Sequence, residues 1–140
     1  MNVKRFITAS LAVYIVSQAL GYLVHGVLLA PVYEATKSIW RPDMQSKMWI
    51  EWVYGLTTAV LFTYIFTKGY EGKGVMEGVR FGLLVGLLVS IPMAYGTYMS
   101  IPIPYYLALQ WFLYGTGVMI LMGVTAALVY RAKAARAAAA

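Results

Sequence analysis

The sequence predicts an all-α integral membrane protein: a bundle of four transmembrane helices with both termini on the cytoplasmic side. Three observations carry this expectation. Of 140 residues, 61% are hydrophobic and 11% are charged, and the mean hydropathy is +0.71; a soluble domain carries charge on roughly a quarter of its residues. The apolar residues gather in four stretches, each long enough for a hydrocarbon core that takes about 20 of them in a helix. The charges lie almost wholly between those stretches. A disordered chain is excluded by the same composition. With no cysteine, disulfides, thiolate metal sites and cysteine nucleophiles are excluded as well.

The first span is expected over residues 6–32. At about 100° per residue, Ser10, Tyr14, Ser17, Gln18, Gly21, Tyr22 and His25 fall within one arc of roughly 140°. Polar groups in such an arc are costly against lipid, so the arc faces other helices or a wet cavity. Interhelical hydrogen bonding and a lined pathway or ligand groove are both open readings. Ser17-Gln18-Ala19 also resembles a signal-peptide cleavage site, but apolar character continues to Val32, and cleavage would leave an odd number of spans. The span is therefore expected to be retained.

Residues 34–47 are polar but contain Ile39 and Trp40, the pattern of an interfacial loop or short surface helix. Pro42-Asp43 is the expected start signal of the second helix, whose span covers residues 48–67. The glycine-rich, charged segment 68–78 reads as a water-exposed turn. Its Gly69-Tyr-Glu-Gly-Lys-Gly74 lacks the glycine spacing, the hydroxyl residue after Lys and the strand that a phosphate-binding loop requires.

The third span, residues 79–100, places Gly78, Gly82, Gly86, Ser90 and Ala94 at every fourth position. Such a ridge lets helix backbones approach closely, on another span of the chain or on a second copy. Pro92 is expected to kink this helix. Ile101-Pro-Ile-Pro104 is a short, stiff connection that makes the fourth span, residues 105–130, an antiparallel neighbour of the third. The tail after it is expected to extend that helix into water or to fray. A shift of 60 residues pairs Gly26 with Gly86, Pro42 with Pro102 and Gly55 with Gly115, among others. This hints at two helical hairpins in parallel, as in some transporters.

Lys4, Arg5, Lys68, Lys73, Arg80, Arg131, Lys133 and Arg136 flank the spans on one side, against Lys37, Arg41 and Lys47 on the other. That imbalance places both termini in the cytoplasm. The net charge of +6 is then met by an anionic leaflet, without nucleic acid.

Trp40, Trp49, Trp52 and Trp111 share the opposite interface with Tyr95, Tyr98, Tyr105 and Tyr106, an aromatic belt. At this level His25, Glu51 and Gln110 converge from the first, second and fourth spans; with Tyr22 and Gln18 they form the candidate polar or ligand site. Glu51 snorkels to the surface or pairs with Lys47 one turn earlier, or else joins His25 in a partly buried cation or proton site. No nucleophile–base pattern, metal cluster or paired carboxylates occur at depth, so no catalytic or metal residues and no enzymatic activity are expected. No cofactor is expected either; haem or pigment ligation by His25 is a minor alternative.

The segments His25-Gly-Val-Leu-Leu29, Trp40-Arg-Pro42 and the run from Phe66 to Gly82 resemble an uncharacterised bacterial family of small four-span inner-membrane proteins. The resemblance covers about residues 3–131. It implies this topology and a bacterial inner membrane, and brings no activity or site residues. The leading expectation is an accessory or structural subunit that self-associates or packs into a larger membrane complex. A small oligomeric transporter or channel along the polar face of the first helix is the alternative.

Overall fold

The computed structural model describes residues 2–131. Every regular element among them is helical, and four helical stretches are long and apolar enough to cross a membrane: Val3–Leu28, Met44–Lys68, Val75–Ser100 and Tyr105–Tyr130. The expected tail, with Lys133 and Arg136, lies outside the described residues.

Helix α1 (Val3–Gly21) opens on Asn2, whose side-chain oxygen accepts from the Arg5 amide at 3.1 Å, pairing one of the amides a helix start leaves free. The first span does not continue as one α-helix to residue 32. It widens into a π-helix at Tyr22–Leu28 and resumes as α2 (Ala30–Ala35). Pro31 accounts for the change: it has no N–H for the Val27 carbonyl, and its ring would crowd that carbonyl in an α-helix. The wider turn, with the Leu29 amide donating to the Val24 carbonyl at 2.8 Å, absorbs the mismatch.

Two 3₁₀ turns, Lys37–Ile39 and Met44–Lys47, lead to α3 (Trp49–Lys68). Pro42-Asp43 thus precedes a 3₁₀ turn and not α3 itself. The Asp43 carboxylate is occupied by Arg41 and Lys47 and caps no helix amide.

Helix α4 (Val75–Ser100) starts before the expected residue 79. The Glu77 carboxylate reaches back to accept from the amides of Glu71 at 2.5 Å and Lys73 at 2.8 Å, tying the glycine loop to the first turn. Gly72 and Gly74 permit this with φ of 77° and 86°, a region other residues adopt only with strain. The loop therefore wraps its amides around the chain's own carboxylate. Helix α4 runs on past Pro92 to Ser100; one lost hydrogen bond does not end a helix packed along its length.

That packing is against α5 (Tyr105–Arg131). Gly78, Gly82, Gly86, Ser90 and Ala94 are all buried. A Cβ on Gly78 or Gly82 would overlap the carbonyl oxygens of Gly123 and Met119, so the two backbones are in direct contact. The ridge thus finds its partner within the chain.

Helix α1 packs on both α5 and α3, while α3 meets α5 only lightly. Two buried clusters result. At the end carrying the termini, Ala9 and Val13 of α1, Ala59, Phe62 and Phe66 of α3, and Met122, Ala126 and Tyr130 of α5 pack together. Phe81 of α4 joins them, its ring 4.8 Å from that of Phe62. At the other end Val24, Leu29, Ile103, Leu107 and Ala108 form the second cluster, flanked by Tyr33, Trp40 and Trp111. No α3 residue belongs to it.

Candidate functional site

The polar arc of α1 divides along its length. Ser10 is buried, and Tyr14 packs against the first cluster. The Ser17 hydroxyl donates to the Tyr14 carbonyl at 2.8 Å, a local bond that satisfies it without another helix. Gln18 lies against Gly55 of α3, where a Cβ would come within 2.7 Å of its Nε2. From Gln18 onward the arc faces open space. Gln18, Gly21, Tyr22 and His25 line a cavity of about 580 Å³ together with Trp40, Glu51, Trp52 and Trp111.

The π-helix and α2 set the far wall. The Tyr22 ring lies over Gly26, where a Cβ would sit 3.0 Å from it. Helix α2 brings the Tyr33 oxygen to 2.6 Å from His25 Nδ1. The same oxygen accepts from Trp111 Nε1 at 2.8 Å, which joins the first span to α5. The Tyr33 hydroxyl therefore bonds both rings at once, accepting from Trp111 and sharing a hydrogen bond with His25 Nδ1 whose direction follows the imidazole tautomer. Burial pushes the Tyr33 phenol above its ordinary range, against a smaller opposing effect of the Trp111 bond; it stays neutral at physiological pH. Trp40 is fixed in turn, its Nε1 donating to Thr36 Oγ1 at 3.0 Å and its ring 6.1 Å from that of Trp111.

Glu51, in the first turn of α3, is half-buried, and among the described residues its carboxylate has no hydrogen-bond or ion-pair partner within bonding distance. The expected pairing with Lys47 does not form: Lys47 turns back to Asp43 at 2.9 Å, and Arg41 binds the same carboxylate at 3.0 Å. Arg41 and then Lys47 hold the Asp43 carboxyl below the usual carboxylate range. His25 and Glu51 share the cavity without bonding each other, since His25 is engaged by Tyr33.

Four of the five candidate site residues, Gln18, Tyr22, His25 and Glu51, thus line one cavity. Gln110 does not; its Oε1 is buried without a partner. Tyr33, Met44 and Met48 were not expected there, and the tryptophans were expected only as a belt. Of the four, Trp49 stays outside the cavity. His25, Gly21 and Trp111 also border a second cavity of about 130 Å³ that reaches Ser90 and Tyr114. Among the described residues no three of His, Cys, Asp and Glu come together as a metal site. The cavity offers one carboxylate, one imidazole and several ring faces: groups that hold and orient a ligand.

Comparison of the chain with protein-family models, curated proteins and solved structures yields no match.

Proposed function

We propose that this chain is a multi-pass protein of a bacterial inner membrane, with both termini in the cytoplasm, that binds a small amphipathic molecule in the cavity between α1, α2 and α3. The observation that carries the proposal is the convergence of Gln18, Tyr22, His25 and Glu51 on one cavity of about 580 Å³. That volume falls in the range of small-molecule sites, which combine mostly apolar walls with a few placed polar groups. Binding at this level is also the first requirement of a transporter using the polar face of α1. The accessory-subunit reading leaned on the small-residue ridge of α4. That ridge is occupied by α5, so it has no free face to offer a second copy.

Native mass spectrometry of the whole chain released from nanodiscs tests the proposal. The wild type is expected to retain a small-molecule or single-lipid adduct, and Gly21→Phe to lose it. Gly21 suits this purpose because it lines the cavity and the nearest atom that a Cβ there would meet is Glu51 Oε1 at 3.9 Å, so the new side chain starts into open space. An adduct that survives the filled cavity, or a wild type that carries none and binds no added amphiphile, would reject it. Stable co-purification with another membrane protein and an empty cavity would return the subunit reading to the front.

A further inference from the structure

We infer that the occupant is a cation: an ammonium or quaternary ammonium group carried on an apolar body. This rests on the cavity being a ligand site and names what the site selects. Glu51 is the only formal charge among the lining residues, with no Lys or Arg beside it. The two basic residues nearest in the chain, Arg41 and Lys47, are both held on Asp43, and among the described residues no Lys or Arg pairs with the Glu51 carboxylate. A half-buried carboxylate in a mostly apolar wall is stabilised by an incoming positive charge. It would oppose an anion and gain little from a neutral group that has no hydrogen-bond donor.

The ring faces add a second, independent preference. Tyr22, Trp40, Trp52 and Trp111 line the same space as Glu51, and aromatic faces attract cations through their quadrupoles, most strongly where water is excluded. Trp40 and Trp111 are pre-set by their indole hydrogen bonds to Thr36 and Tyr33, so ordering them costs the ligand little. Met44 and Met48, also in the lining, supply adaptable contact for the apolar body. The positive group belongs between Glu51 and the ring faces, with the apolar body against Met44 and Met48.

Titration of the whole chain in phosphatidylglycerol nanodiscs, followed by tryptophan emission, tests this. The probes are an aryl-alkyl trimethylammonium ion and its neutral tert-butyl isostere. The wild type is expected to bind the cation about tenfold or more tightly than the isostere, the ratio that roughly 1.4 kcal/mol of charge and ring attraction produces. Glu51→Gln should narrow the gap between the two affinities to the part that the ring faces supply, and Glu51→Asp should restore part of the difference. Helical circular dichroism of each variant guards against misfolding. Equal wild-type affinities overturn the cation assignment and leave the ligand cavity standing; no binding of either probe overturns both. A repeat with phosphatidylethanolamine in the nanodisc separates two sources of the same chemistry. Cation affinity that falls as this lipid is added identifies its headgroup ammonium as the occupant, and unchanged affinity identifies a free cation.

Discussion

Glu51 owes its unpaired state to a competition decided one residue at a time. Lys47 lies one helical turn before it, the spacing at which a Lys and a Glu ordinarily meet, yet Lys47 bonds Asp43. Replacing Asp43 with Asn removes that charge and releases Lys47 toward Glu51. Cation affinity in the tryptophan titration should then fall several-fold, and the additional change Lys47→Gln should restore it. Unchanged affinity in the single variant would mean that Asp43 plays no part in keeping the site open. The competition was not legible in the sequence, because Asp43 and Glu51 are both near Lys47 along the chain and only the 3₁₀ turn decides between them. Tyr33 was hidden for a related reason. In a continuous α-helix the backbones of Tyr33 and His25 would lie roughly 12 Å apart along the axis; across the π-helix and the break before Pro31 their side chains meet, the Tyr33 oxygen 2.6 Å from His25 Nδ1. Gln18, Tyr22, His25 and Glu51 were legible because polar side chains at one depth in apolar spans stand out whatever the backbone does between them.

Among the elements, the α4–α5 hairpin was the most readable. Small residues four apart share a face in any α-helix, so the ridge needed no tertiary knowledge. Its partner was harder to read, since α5 meets it with Gly115, Met119, Gly123 and Ala127, a four-residue repeat in which Met119 interrupts the small residues. The contact makes a sharp contrast between two glycines. Gly82→Ala must push α4 away from the Met119 carbonyl and should destabilise the fold by about 1–3 kcal/mol, the usual cost of overpacking. Gly117 has no atom within 4 Å of a built Cβ, so Gly117→Ala should be neutral or slightly stabilising. Thermal unfolding in detergent, followed by circular dichroism, compares the two. Equal midpoints would mean that the hairpin is not held by backbone contact. The least readable element was the π-helix, because hydropathy is the same on either side of it and Pro31 alone marks the change.

At the scale of the whole molecule, the four long apolar helices were legible from composition and spacing. Which side each end occupies rests on charge balance alone, and the absence of cysteine makes this direct to measure. With both termini cytoplasmic, Lys37→Cys in intact cells should react with a membrane-impermeant maleimide. Lys73→Cys should react only after lysis, and the reverse pattern would invert the topology. The lopsided division of the core was beyond sequence reading, since both ends of α3 are apolar. From Trp49 to Thr58 that helix has no buried residue; burial begins at Ala59 and continues through Phe62, Thr63 and Phe66. Helix α3 is therefore held mainly at one end, like a door hung on its lower hinge, with Gly55 against Gln18 as a lighter catch and Glu51 and Trp52 beyond it. A tilt of that far end outward would enlarge the cavity sideways at the expense of the Gly55 contact with Gln18 and Tyr14, and would leave every residue of the second cluster in place.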